Sequence, residues 1–288
     1  MTDMKSKKEK VSAWGHEHPF AAGMVLAVLF VVFRKGLYFV FLPLPQTIGF
    51  RLVHEVLDLI WPVCFVVLFG MAGIFKRKGL FKTLLAGLAM LLLDIVLFVL
   101  NMLNLLQVPD FEWYPFGMIL FGIFTELAVG FREESVFRGI VTNLFAEKYL
   151  KDRRGIFITV FAGAFSFGIM HMGNMLVGQS FADSIIQSIS AFFLGAYLSA
   201  VYLRGGSIWG VAIIHGLYDM SLDVSRLFTK TFGMDLQTAL GSAEKTVYDL
   251  EAVASYALLW AVYFVVTLFL LRKSKRDEII GRCSGNML

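Results

Sequence analysis

Long apolar blocks, broken by short polar punctuation, run along most of this chain. Residues 20–41, 59–75, 80–105, 113–132, 156–175, 181–203, 207–222 and 252–271 each read as one helix. Most approach the roughly 20 residues that cross a bilayer, and none alternates with the period of a membrane strand. The pattern predicts an all-α fold, a polytopic transmembrane helical bundle of about eight spans. The first block is awkward. Residues 20–33 are short, and reaching Phe41 takes in Arg34 and Lys35, which are expected to snorkel to the far interface. Pro43 and Pro45 then end it. Residues 51–59 read as an amphipathic lead-in to the second block, 109–112 as a polar turn, and 223–249 as a mixed extramembrane segment. Trp113 and Tyr114 suit an interfacial anchor. The helix of the fourth block is expected to continue to about Leu150, because no proline intervenes and Gly139 alone need not stop it.

Composition agrees with the pattern. Of 288 residues, 58% are hydrophobic and 17% charged, whereas a soluble domain is nearer half and a quarter. Two cysteines, Cys64 and Cys283, make neither a disulfide framework nor a zinc-binding Cys pair. The net charge of +4 is informative through its distribution. Lys76 to Lys78, Lys148 to Arg154, Arg204, and Arg272 to Arg276 follow alternate blocks, which predicts both termini cytosolic. Membrane topology accounts for this clustering, and no nucleic-acid partner is expected. Residues 1–19 read as a basic cytosolic tail without a removable signal peptide. Residues 20–271 read as one integral-membrane domain with a core at 113–222, and 272–288 as a second basic tail. No internal repeat of the transporter kind is evident.

Ionisable groups inside such blocks are expensive and mark function. Three clusters stand out. The first is Glu133-Glu134-Ser135-Val136-Phe137-Arg138. Glu134 and Arg138 are an i, i+4 pair on one helix face, while Glu133 points about 100° away, on the face of Glu126. Glu134 is therefore neutralised, and Glu133, with no such cation, is free to act as base or ligand. The second runs from Phe167 to His171. The third joins His215 and Asp219 at i, i+4, so the carboxylate can orient the imidazole. His54 and Asp58 repeat that spacing in the lead-in segment, where no buried partner is needed. His16 and His18 are expected in solvent. A plain reading of the spans puts Glu133 at the cytosolic end of one helix and His171 in the outer half of the next, too far apart to meet.

These clusters, each on its own helix and in this order, resemble the CAAX-protease and bacteriocin-processing (CPBP, or Abi) family of intramembrane proteases. The family pattern is Glu-Glu-x-x-x-Arg, then Phe-x-x-x-His, then His-x-x-x-Asn/Asp. It is met here by Glu133 to Arg138, by Phe167 and His171, and by His215 and Asp219. The resemblance covers 133–219, and the flanks are similar only as apolar helices. It implies a glutamate-dependent endopeptidase, and the basic N-terminus, the Lys- and Phe-rich composition and the short loops point to a bacterial plasma membrane. Glu133 and His171 would activate water, and His215 and residue 219 would stabilise the oxyanion. Arg138 would hold Glu134, with Phe167 in support. The chemistry is sound on its own terms, since a carboxylate in a dry site suits general-base work near neutral pH. Asp219 departs from an amide donor, so it either carries a proton or orients His215. No cofactor is implied. The implied partners are membrane lipids and a membrane-associated peptide or protein, lipidated or not.

Two other readings keep the same residues. Glu133, His171, His215 and Asp219 have the ligand types of a zinc site, though no His-Glu-x-x-His helix supports one. Alternatively the polar groups, with Glu126, Asp94, Asp183 and Gln187, line a transport path, or belong to a non-enzymatic immunity protein.

Overall fold

The computed structural model describes residues 2–44, 48–76, 78–108, 112–229 and 250–286. Pro45, Arg77, most of the 109–112 turn, residues 230–249 of the extramembrane segment and the Cys283 side chain lie outside the described residues. Among those described there is no strand, only an isolated bridge between Trp113 and Thr229. A basic helix α1 (Thr2–Glu17) leads into α2 (Pro19–Phe41), α3 (Ile48–Leu68), the short α4 (Leu80–Ala86) and α5 (Leu88–Leu105). The centre holds α6 (Phe116–Val136), α7 (Asn143–Tyr149), α8 (Arg153–Met170), α9 (Phe181–Gly205), α10 (Ile208–Leu222) and α11 (Val224–Phe228). α12 (Leu250–Leu270) and α13 (Lys273–Asn286) follow.

Five of these are long and apolar enough to cross a membrane: α2, α5, α8 with its extension to Val177, α9, and α12 from Val253. α10 is apolar but shorter. α3 and α6 have the length but carry Arg51, Glu55 and Asp58, and Glu126, Arg132, Glu133 and Glu134. The bundle is inside-out by soluble standards. Val28 and Val32 of α2, Ile95 and Val96 of α5, and Leu258 and Val265 of α12 are exposed, whereas Arg132, Glu133, Glu134 and Arg138 are buried. An apolar exterior of this extent needs lipid around it, which makes this a multi-pass membrane protein.

The elements depart from the sequence pattern in three places. Residues 51–59 are no surface lead-in but part of α3, which carries Pro62 inside it and ends at Leu68, short of Phe75. The third block breaks at Gly87, where a Cβ would come within 2.3 Å of Ile214 Cδ1. The fourth block does continue, as expected, but through a π-helical turn, Phe137–Thr142, that joins α6 to α7. The helix ends follow ordinary chemistry. Ser180 and Ser207 cap α9 and α10, Asp152 caps α8, and Gly206 closes α9 in the left-handed conformation at φ 90°.

Candidate active site

The helical path from Phe116 to Tyr149 decides where the first cluster lies. Glu133 is not at a helix end. It sits sixteen residues before Tyr149, and Ile169 sits sixteen after Arg153, across the tight turn between α7 and α8. At about 1.5 Å per residue, both levels are about 24 Å from that turn. Glu133 and the start of the His171 turn therefore share one depth. The apparent mismatch came from ending the fourth span at the charges. Those charges do not mark a headgroup layer, because Arg132 through Ala146 are all buried. The π-helical turn widens the helix within this stretch, as such turns do at functional sites.

Close backbone packing brings in the third cluster. α10 lies directly on α6, where a Cβ at Gly130 would meet Ala212 O at 2.3 Å and Gly216 N at 2.7 Å. A Cβ at Gly216 would meet Glu126 O at 2.8 Å. Small residues at a crossing allow such approach, and they place the neighbouring His215 against the two glutamates. His215 Nδ1 donates to Glu134 Oε1 at 2.8 Å. Its Nε2 lies 3.6 Å from Asp219 Oδ2 and 3.9 Å from Glu133 Oε2. Arg138 donates to the same Glu134 oxygen at 2.7 Å and to the Gly195 carbonyl at 3.0 Å. Glu134 is thus neutralised by Arg138 as expected. It also orients His215, the task that the i, i+4 spacing assigned to Asp219.

Phe167 holds the second cluster in place. Its ring lies edge-on to His171 at 5.0 Å and to His215 at 5.9 Å, and the Arg138 guanidinium sits 4.5 Å over it. His171 begins a 3-10 helical turn, His171–Val177, and its Nδ1 donates to Phe167 O at 3.1 Å. That leaves Nε2 as the nitrogen with a free lone pair. His171 lies in the electrostatic field of Glu133 and His215.

Three charged residues that the sequence pattern placed elsewhere belong here. Arg34 does not snorkel outward. Its Nη1 donates to Glu133 Oε1 at 3.4 Å, so Glu133 does have a cation, supplied by α2. Asp58 does have a buried partner. It is buried, accepts from Trp61 Nε1 at 2.8 Å and pairs with Arg132 Nη1 at 2.6 Å. Glu55 stands 3.6 Å from the same nitrogen, while His54 turns to Glu55. The signal was present, since each is an ionised group in an apolar block, but a partner on another helix leaves no spacing to read. His18 is exposed, as expected, whereas His16 is half-buried and pairs with Glu147 at 2.5 Å. Asp94 is buried on α5, and Glu126 is half-buried.

Among the described residues no group of three or more His, Cys, Asp or Glu side chains is arranged to hold a metal ion.

The fold and this cluster define a polytopic membrane protein with a buried glutamate–histidine centre on three inner helices. Residues 115–221 match the family model described as type II CAAX prenyl endopeptidase, Rce1-like, and this segment is what the chain shares with that family of membrane proteases. Searches of curated proteins and of solved structures found no match. The matched segment runs from the start of α6 nearly to the end of α10, and it leaves out α2 and α3.

Proposed function

We propose that the chain is a glutamic-type intramembrane endopeptidase that hydrolyses a peptide bond in a membrane-associated protein or peptide. The observation that carries this reading is that His215 Nε2 lies within 4 Å of both Glu133 and Asp219, with His171 in the electrostatic field of the same glutamate. In this reading a water lies between Glu133 and His171 Nε2. Glu133 takes its proton as the oxygen attacks the scissile carbonyl, and His171 orients it through the Nε2 lone pair. The carbonyl oxygen becomes an oxyanion on the side of His215 and Asp219. There His215, held by Glu134, and Asp219, carrying a proton, donate to it. The proton on Glu133 passes to the leaving nitrogen, the C–N bond breaks, and a carboxylic acid and an amine leave. Both termini lie in the cytosol in this proposal, and the substrate enters from lipid or from that side.

The test uses full-length protein reconstituted in lipid vesicles and a fluorogenic, membrane-anchored peptide, offered with and without a prenyl group. Glu133→Gln should fold and bind like the parent but not hydrolyse. Cleavage at the parental rate by this variant would remove the assignment. Prior treatment with a strong chelator should leave the rate unchanged. A loss restored only by zinc would favour a metalloprotease on the same residues. Absence of hydrolysis from every peptide, with specific peptide binding retained, would favour an immunity or transport role.

A further inference from the structure

Two adjacent cations on α2 reach opposite sides of the centre, and both lie outside the 115–221 segment. Arg34 bonds the Glu133 carboxylate at 3.4 Å, with its own side chain 35% exposed and that of Glu133 only 4%. Lys35 Nζ donates to Asn174 Oδ1 at 2.8 Å. Asn174 is one 3-10 turn beyond His171, and in that geometry side chains three apart eclipse, so the two stand on one side of the turn. Asn174 is held again from behind, donating to Gln187 Oε1 of α9 at 2.7 Å. α2 also touches this turn through backbone-close packing, since a Cβ at Gly173 would meet Val31 Cγ1 at 2.5 Å. Consecutive helical residues diverge by about 100°, which is what lets Arg34 and Lys35 address α6 and the His171 turn separately.

Neither cation has a lipid-side reason to be there. An arginine in an apolar span is expensive unless it meets an inner partner, and the partner it meets is Glu133. We propose that Arg34 and Lys35 are positioning residues: α2 braces Glu133 with one and the His171 turn with the other, and so sets the gap that the attacking water fills. This rests on the hydrolytic reading above. It makes a span outside the matched segment part of the working site. A displacement near 1 Å at such a gap costs about 100-fold in rate, so the effect belongs in kcat.

The experiment compares Arg34→Gln, Arg34→Lys, Lys35→Met and the lipid-facing control Val32→Ala with the parent in vesicles, alongside Glu133→Gln. Expected are a kcat lower by about 10- to 100-fold for R34Q and K35M with KM within about twofold, and recovery of most of the rate in R34K. Unfolding temperatures of R34K and K35M should stay near the parent's, that of R34Q should fall because Glu133 loses its cation, and V32A should behave as the parent. If R34Q does not fold, K35M carries the test by the same criterion. Parental kcat in R34Q or K35M, a loss that appears in KM instead, or an R34K no better than R34Q would each overturn the brace. An inactive E133Q beside a fully active R34Q leaves the hydrolytic reading standing without the brace. An active E133Q removes the reading itself.

Discussion

Two glutamates in this protein each meet several basic groups, one in the dry centre and one at a wet edge. Glu134 is fully buried and shares one oxygen between Arg138, itself buried, and His215. Glu278 of α13 is about a third exposed and gathers Lys82 of α4 at 2.6 Å, Arg204 of α9 at 2.9 Å and Lys275 at 3.7 Å. By counting contacts, Glu278 is the better paired. By energy it is the weaker, because water competes for every one of its partners. Removing one member of the inner pair leaves a charge with nothing to replace it, whereas removing one member of the outer set leaves a solvated ion. The difference separates what holds the site from what merely docks the tail.

Glu133→Gln should lower hydrolysis by about 100- to 10,000-fold at unchanged protein yield, the range expected on losing a general base. A loss under tenfold would mean that the inner carboxylates are structural after all. Arg138→Ala should destabilise the protein by about 3–5 kcal/mol, read from denaturant unfolding in mixed micelles, because Glu134 is then buried without its cation. A cost below about 1 kcal/mol would place Glu134 in the same class as Glu278. Asp219→Asn keeps a hydrogen-bonding group beside His215 and should change kcat by less than about tenfold, the worth of one neutral hydrogen bond. A much larger loss would show that the carboxyl group itself, and not a donor at that place, is required.

The smallest effect is at the edge. Glu278→Gln should cost about 1 kcal/mol or less, with salt removing most of it. Lys82 hydrogen-bonds the Glu278 carboxylate and, with Arg204, holds its pKa down at about 2, against burial acting the other way. A depressed carboxylate pKa stabilises the fold above its unfolded value near 4.5, and that contribution is lost as pH falls from there toward 2. Cleavage of the tail by a protease should therefore accelerate below about pH 4 in the parent and be less pH-dependent in E278Q. Equal profiles would show that α13 is held by its apolar contacts, such as buried Ile279, rather than by these ions.

Much of the architecture was legible because a bilayer asks simple things of a chain. Apolar runs near 20 residues and a helix that passes Gly139 are local facts, and they are in the structure. Within the site, the Glu134–Arg138 pair was legible for the same reason, since one helical turn sets it. The mistakes share a cause. Ending the fourth span at Arg132, sending Arg34 outward and giving Asp58 no buried partner all assume that a charge in an apolar run seeks water. Each instead found an opposite charge on another helix.

A helical membrane protein, with Glu133, Glu134, Arg138, Phe167, His171, His215 and Asp219 in three separate helical segments and in the order of the CAAX-protease pattern, is readable from the residues alone. Tertiary structure alone decided which of them touch. It gave His215 to Glu134 through the Gly130–Gly216 crossing, levelled Glu133 with His171 by carrying the helix on to Tyr149, and supplied Arg34 from a distant span. Periodicity records which face a side chain occupies. Depth, crossing geometry and the partner across a helix interface depend on how separate helices pack.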